Sequence, residues 1–501
     1  MGKVKVLTAR QAADLIKDGD TVALSGFVAN GIAEALNTAA EERFLETGHP
    51  RDLTLFWVAG TGNKDGSHAD HYAHEGMVKK VIGGHFNFVP KICEMLSENK
   101  IEGYNVPQGA IAQMLRDNAA HKVGTISHVG IGTFADPRNG GGRLSEKTKE
   151  DIVKIIELEG QEQLFYPRIP LDVAFIRGTY ADELGNITLE KEMAPLDATS
   201  QAMAVHNNGG LVVVQVERVV KAGHLDPKLV KIPGIYVDAV VECPADDPKQ
   251  SQSINCTYDP AYAGNTQVPV SSLEPKKLDA KKIIGRRAAM ELKKNVVVNL
   301  GVGVPEWVSS VAAEEGVADE MTLTVECGPV GGVPGGGLRF GGSVNAQAYM
   351  DEGYQFDFYD GGGLDIAFLG LAQCDSHGNI NVSKFGPKIA GCGGFINITQ
   401  NTPVVVFCGT FTVKGKNKFL KDVEQITFSA DFANKTGQKV LYVTECCVFK
   451  LTKEGVELIE VAPGLDIEKD ILAHMDFKPI IKDVKVMDER IFKDELMGLA
   501  K

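Results

Sequence analysis

The sequence predicts an α/β fold built as two related open α/β domains in tandem, and three observations support this. The chain has 501 residues, more than one hydrophobic core usually organises. Strand-length apolar runs alternate with helical patterns along the chain, as in sheets that are covered by helices. A stretch of the first half recurs in the second half, which indicates two copies of one architecture.

The first half opens with a predicted helix and a predicted strand. "RQAADLIKDG" (10–19) has the apolar spacing of a helix, and "TVALSGF" (21–27) is typical of a strand that enters a glycine turn. "GLVVVQVERVV" (210–220) and, in the second half, "TPVVVFCGTF" (402–411) are nearly continuous β-branched runs. Such runs are typical of strands buried on both faces, so we expect parallel or mixed sheets.

A polar segment separates the two halves. "AGNTQVPVSSLEPKKLDA" (263–280) contains two prolines and is the predicted linker. The sequence after it opens as the N-terminus does, with an Ala-Ala helix before a strand and a glycine turn. We therefore place the N-terminal domain at 1–262 and the C-terminal domain at 281–501.

The internal repeat is the sharpest sign of duplication. "FYPRIPLDVAFIRGTYADELGNITLEK" (165–191) aligns without a gap with "FYDGGGLDIAFLGLAQCDSHGNINVSK" (358–384) and is identical at 11 of 27 positions. Each copy predicts a strand, a loop with an Asp, a Gly-Asn-Ile turn and a second strand. Two homologous domains make the cleft between them the expected position of an active site.

Composition excludes several classes of protein. The net charge of −14 argues against a nucleic-acid binder. The nine cysteines form no CxxC pair and are expected to be reduced thiols. The N-terminal "MGKVKVLTAR" lacks the apolar core of a signal peptide, and no apolar run reaches the roughly 18 residues that span a bilayer. We expect a cytoplasmic protein without a membrane partner.

Known nucleotide and metal motifs fit poorly. "GTFTVKGKN" (409–417) has one residue too many between its glycines for a P-loop and lacks the magnesium-binding Ser or Thr. "GVGVPE" (301–306) lacks the third glycine of a dinucleotide site. His68, His71 and His74 have a spacing that could hold zinc on a helix, but a hydrogen-bonded face is the commoner outcome. We predict no metal.

Glu326, within "LTVECGPVGG" (323–332), is the strongest catalytic candidate. It follows two β-formers and precedes glycines, so a substrate can approach its carboxylate closely. A glutamate with its usual pKa of about 4.3 is ionised at neutral pH and can act as a nucleophile without a base. Two alternatives stay open: Glu326 is a turn residue without function, or the adjacent Cys327 is the nucleophile.

Five segments together resemble the family I coenzyme A transferases. The Glu326 segment resembles the active-site glutamate signature of that family. The departures lie in the N-terminal signature, where Ser25 replaces a glycine and Ala33 a proline. The resemblance covers the whole chain, as two fused subunits, and is closest to the propionate (lactate/acetate) CoA-transferases. The other four segments are "DGDTVALSGFVANGIAEAL" (18–36), "YNVPQG" (104–109), "VNLGVGVPEWV" (298–308) and "IAGCGGF" (389–395).

The resemblance implies a fold and a mechanism. It implies two domains of the CoA-transferase type with the active site between them. It implies a ping-pong exchange of CoA between a short-chain acyl-CoA and a free acid, through a glutamyl-CoA thioester on Glu326, with no cofactor beyond CoA as the substrate. By position in the motifs, Gln108 and the N–H groups of Gly393 and Gly394 are the expected oxyanion donors, and Asn30 is expected to line the acyl pocket.

The remaining expectations concern CoA, the substrate and assembly. Four lysines in an acidic chain could meet the phosphates of CoA, although a solvated basic loop is the commoner explanation of such a cluster. The resemblance implies acids of two to four carbons (propionate, acetate, lactate or butyrate), a role in fermentation and a homotetramer. An acyl-CoA hydrolase and a non-catalytic binding protein on the same scaffold are the alternatives. The lysines are Lys414, Lys416, Lys418 and Lys421.

Overall fold

The computed structural model of the chain describes residues 2–269 and 276–500. Its first half forms an open sheet of eight strands that are all parallel. This arrangement explains the long β-branched runs, because both faces of such strands are covered. In spatial order the strands are Lys5–Leu7, Ala239–Glu242, Leu211–Val216, Val173–Arg177, Thr21–Leu24, Leu53–Trp57, Val78–Gly83 and Glu102–Asn105.

The second half forms a mixed sheet of ten strands. Its five central strands, from Met321–Thr324 to Lys439–Val443, are parallel, and antiparallel pairings extend it on both sides. The last strand, Ile480–Val486, pairs parallel with Gly455–Val461. In spatial order the strands are Ala348–Tyr349, Pro329–Val330, Met321–Thr324, Val296–Leu300, Ile366–Gly370, Val404–Cys408, Lys439–Val443, Cys447–Thr452, Gly455–Val461 and Ile480–Val486. The predicted class of two tandem α/β domains is confirmed.

Helices pack beside both sheets. In the first domain they are Ala9–Ala13, Glu34–Thr47, Pro90–Ser97, Gln108–Ala119 and Ala198–Asn207. In the second domain they are Ala280–Ala289, Glu306–Glu314, Glu352–Asp360, Phe395–Asn401 and Ala430–Thr436.

The structure also contains several smaller sheets. One contains Arg218–Val220, Tyr180–Asp182, Ile187–Thr188 and Val230–Ile232, and another contains Gly124–Ser127, Gln161–Pro167 and Lys154–Leu158. Two-stranded ribbons pair Val333–Pro334 with Ser343–Val344, Gln373–Cys374 with Ile380–Asn381, Lys384–Phe385 with Lys388–Ile389, and Thr412–Val413 with Lys416–Asn417.

Two predicted elements have different bounds in the structure. The helix expected at 10–19 is only Ala9–Ala13, because the chain turns at Gly19 (φ 82°) to enter the next strand. The run at 210–220 divides between two sheets, as Leu211–Val216 and Arg218–Val220. Part of the predicted linker, 270–275, lies outside the described residues.

The sequence repeat corresponds to one loop built twice. In the first copy, Asp182 Oδ1 accepts hydrogen bonds from the backbone N–H of Leu184 (2.9 Å) and Asn186 (3.0 Å). In the second copy, Asp375 Oδ1 accepts from the N–H groups two and four residues later, at 3.0 and 2.9 Å. The strands before the two loops, Val173–Arg177 and Ile366–Gly370, occupy equivalent places in the repeat.

The two domains pack closely beside the cleft. Helix Gln108–Ala119 lies against helices of the second domain, and the Arg116 guanidinium makes a two-pronged ion pair with Asp357 at 2.5 and 2.7 Å. One hydrophobic cluster contains Ile111 from the first domain and Phe356 from the second. Within 2–269 and 276–500, no helix is both long and apolar enough to cross a bilayer.

Candidate active site

A cavity of about 230 Å³ lies between the domains, and Glu326 forms part of its wall. Most of its lining comes from loops just after the carboxyl ends of parallel strands, where open α/β sheets usually bind ligands. From the first domain the lining includes Phe27, Val28, Gly60, His85, Asn87, Phe88 and Gln108; from the second it includes Asn299, Gly301, Val302, Glu326, Phe340, Leu369, Gly393, Gly394 and Phe395.

A tight turn presents Glu326 to this cavity. Strand Met321–Thr324 ends, and the chain reverses through hydrogen bonds from Gly328 N to Val325 O (3.0 Å) and from Val325 N to Pro329 O (2.9 Å). Gly328 has a φ of 138°, and a Cβ there would come within 2.2 Å of the Met350 carbonyl, so the turn requires glycine. The Glu326 backbone therefore has a fixed position.

Burial dominates the electrostatics of Glu326. It raises the pKa of the carboxyl above its ordinary value, and a hydrogen bond from the Asn299 amide opposes this only in part. Within 2–269 and 276–500, no Lys, Arg or His lies within ion-pair distance of Glu326. The site therefore holds a basic carboxylate that no cation neutralises, which favours its use as a nucleophile.

Cys327 points away from the cavity. Its side chain is fully buried, and its Sγ donates to Gly341 O at 3.1 Å. Burial raises the pKa of this thiol well above its usual range. A buried, protonated thiol is a poor nucleophile, so the structure favours Glu326 over the Cys327 alternative.

Gln108 reaches the cavity from the first domain. It begins helix Gln108–Ala119, and its backbone N–H donates to Gly393 O across the domain interface at 3.0 Å. Its side-chain Nε2 donates to Glu352 Oε1 at 2.5 Å. Because Nε2 carries two hydrogens, one N–H is left over for a ligand.

The two expected glycine donors differ. The N–H of Gly393 donates to Gly84 O at 2.8 Å, so it is not a free donor, and the expectation for this residue is corrected. The N–H of Gly394 has no acceptor among the described residues. Gly394 precedes helix Phe395–Asn401 and lines the cavity.

Comparisons with known proteins show the family of this chain. A family model described as Coenzyme A transferase matches residues 6–243. The acetate CoA-transferase YdiF of Escherichia coli K12 is 43% identical over 100% of this chain and 97% of its own length. The chain belongs to the coenzyme A transferase family. The caffeate CoA-transferase of Acetobacterium woodii is 44% identical over 99% of this chain and 98% of its own.

Two solved structures have the same fold as this chain over nearly its whole length. The crystal structure of acyl-CoA transferase (YdiF) apoenzyme from E. coli O157:H7 has a TM-score of 0.94 and 42% identity, and covers 99% of this chain and 98% of its own. A second structure of that protein, described as a thioester complex with CoA, has a TM-score of 0.93 with the same identity and coverage. The chain is therefore a CoA-transferase in sequence and in fold.

Asn30 lies behind the cavity wall of this CoA-transferase. It is 3% exposed, and its Nδ2 donates to the backbone oxygen of Phe340 at 2.8 Å. Phe340 itself lines the cavity, whereas Asn30 does not. The expectation that Asn30 lines the acyl pocket is thus corrected: it supports a residue that does.

The four predicted CoA-binding lysines do not act as a group, and none lines the cavity. Lys418 is buried, and its Nζ donates to Thr410 O at 2.8 Å. Burial lowers the pKa of Lys418 to about 8. Lys418 is therefore withdrawn as a phosphate ligand, while Lys414, Lys416 and Lys421 are exposed.

Two of the three histidines belong to a hydrogen-bonded cluster, whereas the buried His68 ring has no hydrogen-bond partner among the described residues. His71 bridges Glu34 (2.8 Å) and Glu41 (2.5 Å), and His74 also contacts Glu41 (2.7 Å). In the described part of the chain, no group of three or more His, Cys, Asp or Glu side chains is arranged to hold a metal ion.

Sequence reasoning missed four residues at or behind the site. His85 and Asn299 line the cavity, and Glu352 and Asp197 lie behind Gln108. Burial lowers the pKa of His85 to about 4, so this imidazole is neutral at physiological pH. Its position just after strand Val78–Gly83 was the available signal, because loops at the carboxyl ends of parallel strands form such sites.

Proposed function

We propose that this CoA-transferase exchanges CoA between a short-chain acyl-CoA and a free carboxylic acid through a thioester on Glu326. One observation carries the proposal: the Glu326 carboxylate faces the interdomain cavity with its pKa raised, and none of the described residues places a cation beside it. The relative structure described as a thioester complex with CoA supports the same route.

The proposed steps balance without a cofactor. A Glu326 carboxylate oxygen attacks the thioester carbonyl carbon, the C–S bond breaks, and CoA leaves as the thiolate from a mixed anhydride. The thiolate then attacks the Glu326 carbonyl carbon and releases the first acid as a carboxylate. The second acid attacks the resulting glutamyl-CoA thioester, and the same steps run in reverse. One thioester is exchanged for another, so no ATP is consumed.

Two tetrahedral oxyanions form along this route, and each needs a donor. The Gly394 N–H and the second Nε2–H of Gln108 are the proposed donors, because both groups face the cavity and have hydrogen-bonding capacity to spare. Removing one such donor typically lowers kcat by about 10²–10³.

The cavity supports small acids. About 230 Å³ is the space of roughly seven or eight waters at about 30 Å³ each, and the thiol end of CoA must share it. The walls are largely apolar and include four phenylalanines, Phe27, Phe88, Phe340 and Phe395. We propose acids of two to four carbons, with shallow selection among them, since one methylene is worth about 1–3 kcal/mol in an apolar pocket. We also propose the homotetramer implied by the family resemblance.

The test combines trapping with an acid panel. Incubation with propionyl-CoA and no acceptor should place CoA on the peptide that contains Glu326, as seen by mass spectrometry, and Glu326→Gln should abolish the adduct. Initial rates with acetate, propionate, butyrate, succinate and caffeate then rank the acceptors. An adduct on Cys327 would overturn the route, and a clear preference for succinate or caffeate would overturn the substrate class.

The same assay separates the hydrolase alternative. CoA release from propionyl-CoA is measured with and without an acceptor acid. Without an acceptor, a transferase should release propionate in an amount that matches the enzyme and then stop, with the CoA held on Glu326. Continuous release of free CoA without acceptor would identify a hydrolase instead.

A further inference from the structure

Three buried polar side chains behind the cavity form a chain across the domain interface. Gln108 is 2% exposed, Glu352 0% and Asp197 6%. The first and last belong to the N-terminal domain, and Glu352 belongs to the C-terminal domain. Glu352 accepts from Gln108 Nε2 at 2.5 Å, and its backbone N–H donates to Leu196 O at 3.0 Å.

The backbone around Asp197 is arranged for this contact. Asp197 is the N-cap of helix Ala198–Asn207, where an aspartate usually accepts from the first turn of its own helix. Here its side chain makes no such bond. Leu196, just before it, has a φ of 52°, a region that residues with a Cβ rarely adopt and that often marks a functional site. The Asp197 carboxyl is thus directed to Glu352.

The two carboxyl groups meet without a donor between them. Asp197 Oδ1 and Glu352 Oε2 are both buried, and neither has a hydrogen-bond donor among the described residues. Two ionised carboxylates in that position would repel each other and lack partners, whereas one shared proton supplies a donor to the pair.

We propose that Asp197 and Glu352 share a proton and act as a positioning pair that holds the Gln108 amide at the cavity. With a proton between the carboxyls, Glu352 Oε1 is free to accept from Gln108 Nε2. The Gln108 Oε1 then lies toward Gly393, and a Cβ added to that glycine would be 3.4 Å from this oxygen. The second Nε2–H is left for the substrate.

The charges around the pair agree with this assignment. Burial and the neighbouring carboxyl raise the pKa of Glu352 well above its usual range, and burial raises that of Asp197 to about 7. Glu326 and Asp351 add negative charge on the other sides, and Arg116 is the cation that opposes them. The Cys327 thiol also faces the pair and stays neutral. The pair therefore keeps a shared proton at neutral pH.

The first test separates positioning from packing by shape-matched variants. Glu352→Gln can still accept from Gln108 and donate to Asp197 without titrating, whereas Glu352→Met keeps the volume and removes both contacts. We expect Glu352→Met to lower kcat by about 10–100-fold with little change in the KM for acyl-CoA, and Glu352→Gln to recover most of that loss. Gln108→Ala combined with Glu352→Met should be little worse than either alone.

The second test is the pH profile. Wild-type kcat should decline at alkaline pH, where the shared proton is lost, and this decline should disappear in Glu352→Gln and in Asp197→Asn. Asp351→Asn removes a neighbouring charge without touching Gln108, so it should keep the decline. A Glu352→Gln profile identical to wild type, or additive effects of Gln108→Ala and Glu352→Met, would overturn the proposal.

This inference rests on the proposed function only through the transfer assay. In every variant, CoA labelling of Glu326 is measured separately. Labelling that persists in Glu352→Met while kcat falls supports the positioning role. Labelling that is absent from wild type would refute the glutamyl route, and the pH and double-variant comparisons would still test the pair. If Glu352→Met does not fold, the pH profiles of the isosteric variants Glu352→Gln and Asp197→Asn test the proposal.

Discussion

Shortening the nucleophile by one methylene is the most direct test of the site. Glu326→Asp keeps the charge, but it withdraws the carboxylate by about 1.5 Å, the length of one C–C bond. The backbone cannot shift to restore the position of the carboxylate. Hydrogen bonds at Val325 close the turn, and Gly328 lies so near the Met350 carbonyl that even a Cβ would not fit.

The expected loss follows from that distance. Reacting atoms need to approach to about 3–3.5 Å, and a displacement of about 1 Å can lower the rate by about 10²-fold, or roughly 2.7 kcal/mol. We expect Glu326→Asp to lose at least this much in kcat and Glu326→Gln to fall to background. The KM for acyl-CoA should change little in Glu326→Asp, since the cavity walls are untouched.

Initial rates of CoA transfer from propionyl-CoA to acetate measure this loss, and circular dichroism confirms that each variant is folded. Parallel double-reciprocal plots are expected for the wild type, as for a covalent ping-pong enzyme. Activity of Glu326→Asp within threefold of wild type, or normal turnover by Glu326→Gln, would refute the role of this carboxylate.

Three further predictions concern the same turn. Because burial raises the pKa of Glu326, kcat/KM should fall as the pH drops through that raised value. For the same reason Glu326→Gln should be more stable than wild type at pH 8, where the wild-type folded state holds an unfavourable buried charge. Thermal melts of both proteins at pH 8 measure this difference in stability. Cys327→Ala should keep its activity within about threefold in the transfer assay, because the buried thiol does not face the cavity. Gly328→Ala should destabilise the fold by at least about 1–3 kcal/mol in urea and impair transfer, whereas Gly370→Ala, with open space around its Cβ, should stay within about 0.5 kcal/mol.

The fold could be predicted because its signals are local. The runs that became Leu211–Val216 and Val404–Cys408 are long and β-branched, and the repeat supplied the duplication. The boundaries were less accurate where tertiary context decides them. The first helix stops at Ala13 because the chain has to reverse before strand Thr21–Leu24, a demand that helical periodicity does not register.

Site residues were predictable where a motif fixes the backbone. The structure places Glu326, Gln108 and Gly394 together at the cavity, as their motifs implied. The burial of an individual side chain was not predictable in the same way. Lys418 and its exposed neighbours are equally basic in sequence, yet Lys418 points inward to a carbonyl of its own loop.

Long-range polar contacts were also invisible to sequence reasoning. Asp197 and Glu352 are far apart in the chain and belong to different domains, and neither lies in a motif with a known spacing. Helix Gln108–Ala119 packs against both helix Ala198–Asn207 and helix Glu352–Asp360, and this packing brings the two carboxyls together behind one amide. A single sequence contains no signal for such a long-range contact.

The absence of a cation from the described cavity wall has a chemical consequence. An Arg or Lys beside Glu326 would bind the incoming acid more tightly, but it would also lower the pKa of Glu326 and weaken it as a nucleophile. Neutral dipoles avoid this conflict, because the Gly394 N–H and the Gln108 amide can stabilise a developing oxyanion without forming an ion pair with the resting carboxylate. The arrangement therefore favours reactivity of Glu326 over tight binding of the acid, and a cation introduced into this wall should lower the KM for the acid and kcat together.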